Sequence, residues 1–176
     1  MDAARAHGDA PLRLLNVALA VLLVALVAAA VYIGVRGPGA DPAAVSAAAV
    51  SHEYDDITAA ARQETEAFLT VDYKDMDPTV NQVLAGATGQ FEKEYKKAEV
   101  NLRSAAQQSL ATSKGKVRSV GIGDLDGDSA IVYVAADSTV SNKSTGHQPQ
   151  PRYYRFQLNM TRVGGTWLTA NLQFVS

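Results

Sequence analysis

Leu14–Val35 reads LLNVALAVLLVALVAAAVYIGV, with no charged side chain and Asn16 as its one clearly polar residue. A helix of about 22 residues is roughly 33 Å long, enough to cross a hydrocarbon core of about 30 Å. Lipid offers no hydrogen bonds to N–H and C=O groups, so the backbone there must be helical. Arg13 and Arg36 bracket the segment, and Tyr32 sits near its outer end, where aromatic rings anchor. The competing reading is a cleaved signal peptide, with AVSAAA downstream as a small-residue cleavage site. A signal core runs only about 7 to 15 residues, and this stretch is longer. An uncleaved anchor is therefore expected. Arg5 and Arg13 lie on one flank and Arg36 on the other, which puts the N-terminus inside and the following chain outside the cytoplasmic membrane.

The expected organisation is a cytoplasmic tail (1–13), a transmembrane helix (14–35), a linker (36–44) and an extracytoplasmic domain (45–176). The last of these, roughly 130 residues, suits one compact domain. A net charge of −2 lacks the basic footprint of a nucleic-acid binder. The chain has no cysteine, which removes disulfides, thiolate metal sites and a thiol nucleophile together. His7, His52 and His147 are its only imidazoles and lie far apart in sequence.

Gly37, Pro38 and Gly39 break the membrane helix, and Asp41-Pro42 is a helix start signal, with proline placed where its missing N–H costs nothing. The next helix is predicted to run to about Leu69, with Val50, Tyr54, Ile57, Ala61 and Phe68 as its apolar stripe. Asp77-Pro78 starts a short helix to about Leu84. A third helix follows from about Gln90 to Ala111, with Phe91, Tyr95, Ala98, Leu102 and Ala105 on one face and a solvated run of Glu and Lys on the other. From Lys116 the period becomes alternating. Four strands are predicted: Arg118 to Leu125, Ser129 to Val140, Arg152 to Val163 and Thr166 to Phe174. The Asp126-Gly127 and Gly164-Gly165 pairs supply tight turns.

Three helices followed by an antiparallel meander with one apolar face make an α+β fold in which the helices cover the sheet. A strongly bent four-stranded sheet wrapped around a long helix is the cone of the NTF2-like fold; the order of elements alone leaves other α+β folds open.

Few residues carry chemistry. Asp124, Asp126 and Asp128 resemble a calcium loop, but Gly127 stands at position four rather than six and a strand follows directly, so a hairpin is expected. An enzyme of this fold needs a buried acid or histidine in its cone, and the apolar strand faces offer none. Asp72 and Asp75 stand near the end of the first helix and read as turn acids. No catalytic residue, metal ligand or cofactor site is expected. Asn142-Lys-Ser and Asn159-Met-Thr match glycosylation sequons, a motif too short to carry weight. Tyr54, Phe68, Tyr95, Tyr154, Phe156 and Phe174 are expected to line the cone, as packed core or as the wall of an apolar ligand pocket. The outer sheet face is expected to show Tyr153, Arg155, Gln157, Trp167 and Asn171, the mixture of aromatic and polar groups typical of partner surfaces.

Phe68 to Tyr95 (FLTVDYKDMDPTVNQVLAGATGQFEKEY) and Pro151 to Val175 (PRYYRFQLNMTRVGGTWLTANLQFV) resemble the Mce-associated membrane proteins of actinobacteria. The resemblance extends to a short tail, one membrane helix, an Ala-rich leading helix and an NTF2-like domain. It implies a noncatalytic accessory or stabilising subunit of a complex that imports lipids or sterols, with Mce proteins as partners. Two rivals remain. One is a lipid-binding module holding an apolar ligand in the cone; the other is a cone enzyme of the isomerase or dehydratase type. A homodimer competes with Mce proteins for the outer sheet face.

Overall fold

The computed structural model describes the backbone of residues 42–175 and the side chains of residues 48–175. The expected tail and membrane helix lie outside the described residues. Among the described residues, no helix is long and apolar enough to cross a membrane. Ala48–Ser176 form a compact unit.

Helix α1 (Pro42–Leu69) begins at the Asp-Pro start signal. It is followed by a two-residue strand β1 (Val71–Asp72), helix α2 (Asp77–Gly86) and helix α3 (Gly89–Ser109). Four long strands complete the chain: β2 (Thr112–Asp126), β3 (Ser129–Ser141), β4 (Gln150–Val163) and β5 (Thr166–Phe174). All pairs are antiparallel and the order is β1-β2-β3-β4-β5. The sheet thus has five strands rather than four, because Val71–Asp72 pairs with Ser113 and Thr112. Two residues carry no period, so sequence alone gives β1 no signal.

The first hairpin turns one residue later than expected. Asp126 and Ser129 are the closing pair and Gly127-Asp128 the loop, with Gly127 at φ +54°. Only the first loop residue takes positive φ, the pattern of a type II′ rather than a type I′ turn. The Gly164-Gly165 turn has both residues at positive φ, as expected.

Strand β4 behaves as its alternation predicts: Phe156, Leu158 and Met160 are at most 1 % exposed. The fifth strand does not. Asn159 pairs with Asn171 but Met160 pairs with Thr169, leaving Ala170 as the extra residue of a bulge. A bulge reverses the parity of everything on one side of it. An unbroken alternation sets Leu168, Ala170, Leu172 and Phe174 on one face; Leu172 and Phe174 hold the core face, whereas Leu168 and Ala170 give theirs up to Trp167 and Thr169, which are 4 % and 0 % exposed.

The core has two parts. One packs Ile57 and Ala61 of α1 on Val132, Val134, Phe156, Leu158, Met160 and Trp167. The other joins Val80 and Val83 of α2 to Phe91, Tyr95 and Ala106 of α3. Phe68 and Leu172 touch both and weld them together. Each large side chain fully buried here contributes roughly 1.5–3 kcal/mol. In α3 the inward face runs through Phe91, Tyr95 and Ala106; Leu102 is exposed, and Arg103 instead bonds Glu99 and Asp77.

Candidate functional site

Among the described residues one acid is buried in the interior. Glu64 lies on the inward stripe of α1 between Ala61 and Phe68, and only 2 % of it is exposed. Its Oε1 has no hydrogen-bond partner. A Cβ on Gly86 would come within 1.9 Å of Glu64 Oε2, so the carboxyl sits in the notch that the missing side chain leaves at the end of α2. Burial without a cation pushes its pKa up to about 8. Tyr95 of α3 is raised as well, by its own burial first and then by the negative charge on Glu64. Thr169, also fully buried with its Oγ1 unpartnered, lies on the strand that meets the same stretch: Thr88 N–H donates to Thr169 O, and Ala87 bridges to Thr169. The strand faces alone gave no sign of this acid. Its signal was the helix spacing, since Ile57, Ala61, Glu64 and Phe68 follow steps of four, three and four.

The aromatic residues expected to line the cone divide. Phe68, Tyr154, Phe156 and Phe174 form one cluster, with Phe156–Phe174 ring centroids 4.9 Å apart and Phe68–Phe156 edge to face at 6.1 Å. Tyr95 belongs to the second core part, against Phe91 at 6.1 Å. Phe174 is on the core side of β5, yet 64 % of it is exposed, because it stands at the open end of the cluster. Tyr54 is a correction: it is exposed and belongs to neither core part, since among the described residues the buried stripe of α1 starts only at Ile57.

The outer sheet face is largely as expected, with one correction. Tyr153 and Arg155 are exposed, and Gln157 and Asn171 half-buried. Trp167 is not there: the bulge turns it inward, where the Arg162 guanidinium lies 5.3 Å from its ring centroid. Arg162 also holds Glu53 of α1 at 3.0 Å and Asp128 of the β2–β3 turn at 2.7 Å, tying helix and hairpin together. Two adjoining grooves of about 370 and 430 Å³ run over the outer face, sharing Ala135, Arg155 and Val175. Their rims are Tyr133, Tyr153 and the Arg118–Asp137 pair at 2.6 Å, which holds the Asp137 carboxyl below its ordinary range. A third groove of about 710 Å³ lies between Glu66 and the Lys114–Lys116 end of β2. Glu64 lines none of these.

Other acids have local duties. Asp72 Oδ1 accepts from Lys74 N–H, and Asp75 Oδ1 from Asp77 N–H, so both close turns. The aspartates around Gly127 form the hairpin, and among the described residues no group of histidines and acids is arranged to hold a metal.

This geometry, an α+β cone with a packed interior and a grooved outer sheet, agrees with what the chain is similar to. Residues 15–176 match the family described as Rv1363c/MT1408-like, and the chain belongs to it. The uncharacterized protein Rv1363c of Mycobacterium tuberculosis is 27 % identical over 117 residues, which are 66 % of this chain and 44 % of that relative, so the chain spans less than half of the relative's length. Three solved structures share the fold. An IcmL-like type IV secretion system protein of Legionella pneumophila aligns at TM-score 0.55 and 16 % identity, over 67 % of this chain and 88 % of its own. The periplasmic domain of DotI aligns at 0.55 and 14 %, over 68 % and 92 %. VirB8 of Agrobacterium tumefaciens aligns at 0.56 and 8 %, over 70 % and 92 %. At these identities the likeness is one of fold, which is NTF2-like.

Proposed function

We propose that the chain is a noncatalytic, membrane-anchored accessory or stabilising subunit of an Mce-type lipid or sterol import complex, its domain held outside the cytoplasmic membrane. The observation that carries the first part is the separation of Glu64 from every groove described. Glu64 packs against Gly86 and lines none of those grooves, while the grooved outer face carries aromatic rims and arginine, the chemistry of protein recognition. Two solved domains of this fold are described as a type IV secretion system protein and a periplasmic domain, which fits a tethered subunit of a larger assembly. The Mce assignment rests on the resemblance of Phe68–Tyr95 and Pro151–Val175 to Mce-associated proteins.

A C-terminally tagged chain, gently solubilised from its native host and analysed by mass spectrometry, is expected to bring Mce proteins with it. Recovery without any Mce protein would overturn the assignment. One observation favours a second reading, an extracytoplasmic lipid-binding module: the exposed Phe174 ring beside Phe68 and Tyr154 offers an aromatic seat for an apolar ligand. Delipidated protein that takes up no fluorescent fatty acid or sterol would remove it.

A further inference from the structure

The two edges of the sheet are covered unequally. Along β5 lies the junction of α2 and α3, where Thr88 N–H donates to Thr169 O and Ala87 bridges to Thr169. Along β2 the cover is short. Strand β1 pairs with Thr112 and Ser113 alone. Further on, α1 serves Val117: its N–H donates to Glu66 Oε1 at 3.0 Å, and its C=O accepts from Arg62 Nη1 at 3.2 Å. One turn earlier on that face of α1 stands Ala59, whose methyl can make no hydrogen bond. Val117, Val120 and Ile122 pair with Ala136, Val134 and Val132, alternate residues of β3. Backbone groups of an antiparallel strand turn to one neighbour and then the other with the same period of two. Val120 and Ile122 therefore turn their N–H and C=O groups to the open edge as Val117 does, and among the described residues no side chain meets them. Their side chains pack on the core and are only half-buried.

Sheet edges are commonly guarded by lysine, proline or charge. Lys114, Lys116 and Arg118 guard the first part of β2, but Ser119–Gly123 reads Ser-Val-Gly-Ile-Gly, with neither charge nor proline. The two ends of this run differ. Arg118 is neutralised by Asp137 at 2.6 Å, whereas Asp124 and Asp126 are exposed and make no ion pair among the described residues. We propose that Ser119–Gly123 takes up an extended segment of a partner protein as an added strand. The backbone of that segment bonds Val120 and Ile122. Its inward side chains are β-branched and complete the half-buried row, and a lysine or arginine at one end meets Asp124 and Asp126. A second copy would bring its own Arg62 and Glu66 against the edge, so the occupant is a different chain. The inference goes beyond the outer-face reading and does not rest on the Mce assignment. Co-purification tests that assignment and the variants below test the edge, so each fails separately.

The full chain, carrying a photo-crosslinking amino acid at position 119, is irradiated in its native host and the adducted peptide is sequenced. A segment of alternating apolar residues with a lysine or arginine close by is expected. In the same chain Val120→Pro removes one edge N–H and is expected to lower the adduct yield about tenfold, whereas Val120→Thr keeps the shape and the N–H and is expected to preserve it. Asp124→Lys together with Asp126→Lys is expected to lower the yield severalfold. Both of those positions are exposed, so this pair of changes reads the contact even where the proline variant fails to fold. An adduct with a second copy of the chain would overturn the proposal. So would a yield indifferent to both Val120→Pro and the aspartate reversal, an adducted peptide without the alternation, or no adduct at all.

Discussion

Glu64→Gln tests the account of the interior. The Glu64 carboxyl has an ordinary pKa of 4.5 when exposed and one of about 8 in the folded protein. Between those values the native state holds a proton that the unfolded chain has released, so stability falls as pH rises through that window, by about 1.4 kcal/mol per unit. This is the reverse of a salt-bridged carboxylate. At pH 7 the accumulated loss is about 3 kcal/mol, and at pH 4.5 or below it is nearly absent. Glutamine has almost the same shape and cannot ionise. Glu64→Gln is therefore expected to match the parent near pH 4.5 and to exceed it by about 3 kcal/mol at pH 7, roughly 10 °C in Tm for a domain of this size. Trp167, the only tryptophan and buried, reports unfolding by fluorescence, and urea titrations of both proteins at the two pH values give the difference. A parent and variant with the same pH dependence, or a variant less stable at pH 7, would refute the burial of a neutral acid at this position.

Other consequences follow from the packing. Gly86→Ala forces a methyl into the Glu64 carboxyl, and a loss of about 1–3 kcal/mol is expected by thermal unfolding. Trp167→Ala is expected to cost about 3–5 kcal/mol, because the ring is core, whereas Tyr153→Ala, at an 80 % exposed position, should stay within about 0.5 kcal/mol of the parent. Arg162→Leu breaks two ion pairs and the stack on Trp167, and a lowered Tm whose deficit shrinks in high salt is expected.

The sequence spoke clearly where one local rule governed a whole element. The alternation of Tyr154, Phe156, Leu158 and Met160 gave both the strand and its buried face, and Asp41-Pro42 gave the start of α1. It misled where one residue changed the rule midway. Ala170 looks like a regular member of β5, and nothing in its chemistry announces a bulge, yet it decides that Trp167 faces inward. The lysines around Gly115 looked like loop, but β2 extends back to Thr112 because Gly115 lets the strand approach α1; a Cβ there would lie 2.5 Å from Leu69 Cβ. Tyr54 kept the helical period of α1 while the helix lay where nothing described covers it, and a period cannot show where its partner surface ends. Glu64 was missed: it falls on the stripe between Ala61 and Phe68, but its burial depends on the Gly86 notch supplied by α2, which the spacing on α1 cannot show.

The claim that the domain works through its outer sheet face is tested most directly by a photo-crosslinking amino acid placed at position 153 or at position 174 of the full chain in its native host. Position 153 is expected to yield a protein adduct on irradiation. An unlinked position 153 together with a lipid adduct at position 174 would contradict the account, and would make the aromatic end of the cone the working site.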